Sequence, residues 1–207
     1  GCIVWGGALD LAPADNILIE IERPLSMDPL GLLIPSVLSK KLSVGVKKLV
    51  LDIPVGEGTK FITPDKGKQF AYVFKEIAQN VGIQAECALT LAHQPIGHAI
   101  GPGLEAREAL TLLNDYTAGP NSLIEKSTDL AGILLEMGGK AQKGKGQNLA
   151  KEILRSGKAY DKMKKIIEVQ GGNPEIKPGD IKLGPHSKEF FATKSGHITG
   201  VNNAIIN

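Results

Sequence analysis

Ser36 and Lys40 stand four residues apart in LIPSVLSKK, so a helix there stacks a hydroxyl and an ammonium on one face. Such a pair can meet an anion or a carbonyl, or can be no more than a solvated helix surface. Asp28, eight residues before Ser36, falls at a helix start, where a carboxylate caps backbone amides. To act as a general acid it would have to be held protonated by burial or by a neighbouring negative charge such as a phosphate. On spacing alone the cap is the better reading. Arg23, at the end of a run of apolar alternation, carries a planar fork able to clamp a carbonyl or a phosphate. Lys60 follows the turn Gly56–Gly58, whose glycines let amides approach an anion while the lysine adds a point charge.

The remaining polar candidates read as structure. Asp52 lies inside an apolar run and is expected to be a hydrogen-bonded structural carboxylate. His93 and His98 share a loop with no cysteine or second carboxylate at metal-ligand spacing, so they are read as loop residues and no metal is expected. Cys2 and Cys87 sit in apolar company without a partner, which favours buried, reduced thiols. Lys143 and Lys145 belong to a basic linker and are expected to be solvated.

These residues need elements to hold them. GGALDLAPAD reads as a loop, and Asn16–Glu22 alternates as a half-buried strand does. Asp28 and Pro29 then open a helix whose apolar face is Leu30, Leu33, Val37, Leu38 and Leu42. Pro35 either kinks that helix or falls in its first turn, if the helix begins near Leu32. Leu49–Val55 is the continuous apolar run of a strand buried on both faces. Pro64 and Asp65 open a helix to about Val81, Gly82 closes it, and Ile83–Leu91 is the next strand. This order predicts right-handed crossovers and an α/β layer architecture.

A glycine and proline loop, His93–Gly103, follows at the strand end, where ligands tend to bind. Helices are then expected at Leu104–Leu113, Ser122–Met137, Asn148–Arg155 and Ala159–Gln170. GGKAQKGKGQ, Gly138–Gln147, reads as a flexible basic linker and GGNPEIKPGD as a second one. From Ile181 the period changes to short strands and turns. The expected division is residues 1–137, an α/β catalytic domain; 138–180, linker and helices; and 181–207, the start of another domain.

With 207 residues and 42% apolar content the chain can bury a sizeable core. Its 24 basic and 22 acidic residues leave +2, too little for the electrostatic footprint of a nucleic-acid binder. There is no run of eighteen apolar residues and no signal-peptide pattern, so a cytoplasmic location without a membrane partner is expected. The chain opens at Gly1 on GCIVWGG and stops within NNAIIN, and is expected to be part of a longer protein.

GGALDLAPAD, ERPLS, LIPSVLSKKLSVGVKKLVLDIPVGEG, HQPIGHAIGPGLEAREAL and TKSGHITGVNNAIIN, taken together and in this order, resemble the type II nucleoside phosphorylases. This is the thymidine and pyrimidine-nucleoside phosphorylase family, and the motifs most resemble its archaeal AMP phosphorylase branch. The resemblance implies the later part of an α/β domain and the start of a carboxy-terminal α+β domain. The family's glycine- and serine-rich phosphate loop lies outside this stretch, so the stretch alone is expected to be inactive.

The resemblance also implies roles. Arg23, Ser36 and Lys40 match the base-contacting arginine, serine and lysine of the pyrimidine enzymes; Asp28 matches the proton donor of the AMP-specific branch, and Ser36 and Lys60 its AMP ligands. The segment from Arg23 to Asp28 is two residues shorter than in the thymidine enzymes, and Lys60 stands where they usually carry an apolar residue, which favours a phosphorylated substrate. Glu105 resembles a cation-binding position, but His93 replaces its accompanying serine, so that metal is not expected. The implied reaction cleaves AMP with phosphate to adenine and ribose 1,5-bisphosphate, with no cofactor, in a homo-oligomer. The alternatives are a pyrimidine-nucleoside phosphorylase or a non-catalytic nucleotide-binding module.

Overall fold

LVLDIPV forms the strand its apolar run predicts: β1 spans Lys48–Val55 and β2 spans Gln84–Leu91. A computed structural model describes residues 2–4, 9–22, 24–25 and 29–206, leaving aside the side chains of Leu30 and Ala204. The two strands pair in parallel, from Lys48 opposite Gln84 to Val55 opposite Leu91. Parallel neighbours need a crossover between them, and α3, Pro64–Asn80, supplies it. The fold is thus α/β, as expected.

The other elements in chain order are α1 (Pro13–Glu22), α2 (Leu30–Ser43), α4 (Pro102–Asn114), α5 (Asn121–Met137), α6 (Gly146–Arg155), α7 (Lys158–Val169) and the short α8 (Asn203–Ile206). The core lies where α2 and α3 cover one side of the strands. Ile34 and Leu38 of α2 meet Ile53 and Val55 of β1, together with Phe61, Phe70 and Phe74. The three phenylalanines form a column, with ring centroids 4.7 Å apart for Phe61 and Phe70 and 5.8 Å for Phe70 and Phe74. Such tilted aromatic pairs add to the stabilisation from apolar burial. Among the described residues no helix is long and apolar enough to cross a membrane.

Several expectations are corrected. Asn16–Glu22 is not a strand: it belongs to α1, which begins at Pro13. Pro13 and Asp15 in the first turn are helix-start signals, and Ile17 and Ile21 also satisfy helical spacing. APAD is therefore the helix start rather than the end of a loop. In α2 the helix begins at Leu30, after an extended Pro29, and runs through Pro35. The alternative start near Leu32 does not form. Asp28 itself falls outside the described residues, as does Arg23.

Gly138–Gln147 is not a loose linker. The Glu136 carboxylate accepts from the Gly144 and Gly146 amides at 2.9 and 2.8 Å, and α6 packs along α5 with Gly146 buried. Glycine content suggested mobility, whereas here it permits close backbone approach. GGNPEIKPGD is likewise tied down, because the Arg107 guanidinium donates to the Ile181 carbonyl at 2.5 and 3.0 Å and to the Gly179 carbonyl at 3.4 Å.

Residues 182–202 contain none of the strands expected there, and Phe190 and Phe191 are exposed. A strand needs neighbours for its backbone groups, and the sheet formed by the described residues is β1 and β2 alone. Cys2 is exposed rather than buried. Cys87, on β2, is partly buried, and that burial pushes its thiol up to about 11.

Candidate functional site

The side chains singled out on α2 converge on a carboxylate from α1. Ser36 Oγ donates to Asp15 Oδ2 at 3.0 Å, and Lys40 Nζ lies 2.6 Å from the same oxygen. Helical spacing stacks the two donors, and the first turn of α1 carries the acceptor to them. The Asp15 side chain is 11% exposed and that of Lys40 21%. Burial works to raise the Asp15 carboxyl, but hydrogen bonds from Lys40 and Ser36 and the Lys40 charge outweigh it, holding the group below its usual value.

Asp15 received no role in the sequence reading. The signal was present in APAD, where a carboxylate two residues after a helix-opening proline marks a first turn, but that stretch read as a loop. The triad makes Ser36 and Lys40 a positioned pair rather than a solvated face.

This contact has a pH signature. Because Asp15 titrates lower in the fold than in the unfolded chain, its contribution is complete above the unfolded value, about 3.9. It is lost as pH falls through the lowered folded value. Asp15→Asn is expected to destabilise the protein by about 1–3 kcal/mol at pH 7. In denaturant titrations the gap between wild type and variant should close at acid pH. A gap that does not change between pH 7 and pH 3 would show that charge is not what the contact contributes.

Lys60 opens elsewhere. The GEGTKF segment returns on itself, with the Gly56 amide donating to the Phe61 carbonyl at 3.0 Å and the Thr59 amide to the Gly56 carbonyl at 3.2 Å. The Thr59 hydroxyl also donates to the Gly56 carbonyl, at 2.9 Å. Gly56 is required here because a Cβ would stand 2.7–2.8 Å from the Ala92 and His93 backbone. With the Gly56 amide committed, the turn presents a lysine more than a cradle of amides. Lys60 lines a cavity of about 600 Å³ with Gly31, Ile34 and Pro35 of α2 and Lys66 and Phe70 of α3. Lys40 instead borders a cavity of about 550 Å³ with Lys41, Val46 and Lys48. The structure therefore joins Ser36 to Lys40 through Asp15 and leaves Lys60 on a separate opening.

Across the strand pair, Thr90 Oγ1 donates to Asp52 Oδ1 at 2.6 Å and Lys126 Nζ lies 2.7 Å from Asp52 Oδ2. Asp52 is thus the structural carboxylate expected, tying β1 to β2 and α5. The loop after β2 is pinned by Glu108, whose carboxylate accepts from the His98 amide at 2.9 Å and the Ala99 amide at 3.3 Å. Glu105 Oε1 accepts from the Gly101 amide at 2.9 Å, within its own helix start. Among the described residues no group of three or more His, Cys, Asp or Glu could hold a metal ion.

The chain is 53% identical over 205 residues to the AMP phosphorylase of Pyrococcus horikoshii, which covers 99% of this chain and 41% of that protein. It is a homologue of that protein. Identity to the AMP phosphorylase of Thermococcus kodakarensis is also 53%, over 205 residues, 99% of this chain and 41% of the relative. For that of Methanococcus aeolicus it is 51% over 206 residues, 100% of this chain and 41% of the relative. The chain thus spans about two-fifths of the length of the curated relatives it matches, 41% of each. No protein-family model matches it. Among these AMP phosphorylase homologues, the elements carrying Ser36, Lys40 and Lys60 all lie inside the shared stretch.

Proposed function

We propose that the full-length protein is a phosphorylase that cleaves the N-glycosidic bond of AMP with inorganic phosphate. The products are adenine and ribose 1,5-bisphosphate. The observation that carries this reading is the 53% identity over 205 residues to a protein named AMP phosphorylase. In the reaction the bond between base and anomeric carbon breaks, its electron pair leaves with adenine, and a phosphate oxygen bonds to that carbon. Asp28 is the proton donor to the departing ring, since a purine leaves readily only when a ring nitrogen is protonated.

Ser36 and Lys60 hold the nucleotide, supplying orientation and charge complementarity. Arg23 and Lys40 supply contacts to the base. Asp15 supports this arrangement by fixing the Lys40 ammonium and Ser36 hydroxyl before substrate arrives. For both Ser36 and Lys60 to touch one nucleotide, the ligand must reach from the α1–α2 contact to the cavity at Lys60. The enzyme uses phosphate as co-substrate and no cofactor, and works as a cytoplasmic homo-oligomer without nucleic-acid or membrane partners.

The test is an assay of the full-length protein with AMP or thymidine and excess phosphate, following free base by chromatography. Phosphate-dependent adenine release is expected, with AMP preferred. Preference for thymidine, or AMP binding without adenine release, would overturn the proposal.

A further inference from the structure

The opening at Lys60 contains a second cation. Lys66, in the first turn of α3, lines the same cavity of about 600 Å³, whose floor is the apolar surface of Ile34, Phe61 and Phe70. Building on the nucleotide reading above, we propose that Lys66 is a specificity-determining residue. Together with Lys60 it takes the 5′-phosphate and so selects a nucleoside monophosphate over the unphosphorylated nucleoside.

The reason is charge matching. A phosphate monoester carries about −1.5 to −2 at pH 7, so one ammonium leaves much of that charge uncompensated and two balance it. The start of α3 adds to this. Thr63 makes no side-chain cap to α3, so the first-turn amides after Pro64 lack intrahelical partners and add positive potential. Asp65 is the acidic group of that turn, and it lies 3.5 Å from Lys68, which offsets its charge. The apolar floor offers a surface for the rest of the ligand, while the two exposed lysines meet its phosphate at the rim of the opening.

The test is calorimetry on the full-length protein, titrating AMP and adenosine into wild type, Lys66→Ala and Lys66→Arg. Lys66 is exposed, so the variants are expected to keep the thermal midpoint of the wild type. Lys66→Ala should weaken AMP about tenfold, a single charged contact's worth, leave adenosine unchanged, and be largely restored by Lys66→Arg. Wild type that binds AMP together with Lys66→Ala within twofold of it overturns this proposal alone. Equal weakening of AMP and adenosine also overturns it, because the residue would then serve shape rather than phosphate. Wild type that fails to bind AMP overturns both this proposal and the nucleotide reading.

Discussion

Asp28→Asn in the full-length protein is expected to lower the turnover of AMP by about 10²–10⁴-fold, the usual contribution of a positioned general acid. The substitution separates the two readings of this residue. Asparagine replaces aspartate's hydrogen bonds to backbone amides about as well, so if Asp28 only supports the backbone ahead of α2, whose N-cap position is Pro29, turnover and thermal midpoint both stay at wild-type values. If Asp28 donates the proton, the midpoint holds while turnover collapses, because the amide keeps the shape and has no acidic proton to give. The KM for AMP should change little, since the lost interaction belongs to the transition state. Steady-state rates over a range of AMP concentrations, with a thermal melt of the same sample, give both readouts. Undiminished turnover would remove Asp28 from the mechanism.

Gly146→Ala is expected to destabilise the protein by about 3 kcal/mol, the upper end of overpacking costs, because the methyl would collide with backbone. A Cβ at Gly146 would stand 2.6 Å from the Gly132 carbonyl carbon and 2.8 Å from Glu136 Oε1. One at Gly132 would stand 2.7 Å from the Gly146 carbonyl carbon and 2.8 Å from the Gln147 Cα. The backbone atoms cannot rotate away, so α5 and α6 must separate and the Glu136 contacts to the Gly144 and Gly146 amides must stretch. Gly132→Ala should cost a similar amount, and the double variant clearly less than the sum, since both act on one contact. Gly184→Ala is the control: a Cβ there meets nothing within 4 Å, and its midpoint in denaturant should be unchanged. A Gly146→Ala midpoint equal to that of the control would mean the helices do not approach this closely.

The strand and helix pattern was legible wherever a segment's local preference and its packing agree. Leu49–Val55 forms the strand its apolar run marks, although only Ile53 and Val55 within it are buried, and the helix opened by Pro64 begins where its proline stands. Asp52 could be assigned to structure because a carboxylate within an apolar run needs partners, and Thr90 and Lys126 provide them. Local pattern failed where two periods coexist. Ile17, Ile19 and Ile21 alternate as in a strand, yet Ile17 and Ile21 also fit a helix turn, and Pro13 with Asp15 decides for the helix. It failed again at Gly138–Gln147, where composition cannot separate glycines that loosen a chain from glycines that let two helices touch.

By itself the sequence determined the α/β class, the strand-helix-strand order and the Ser36 and Lys40 pair on one helix face, while the roles proposed for Asp28, Ser36 and Lys60 come from family resemblance. Those properties depend on spacing within a segment or on motifs in order. Only the tertiary structure decided which partners these groups have. It brought Asp15 from α1 to Ser36 and Lys40, placed Lys66 in the same cavity as Lys60, and set the glycines of α5 and α6 against each other. Those contacts join residues on different elements, whose proximity depends on how whole helices pack rather than on any local periodicity.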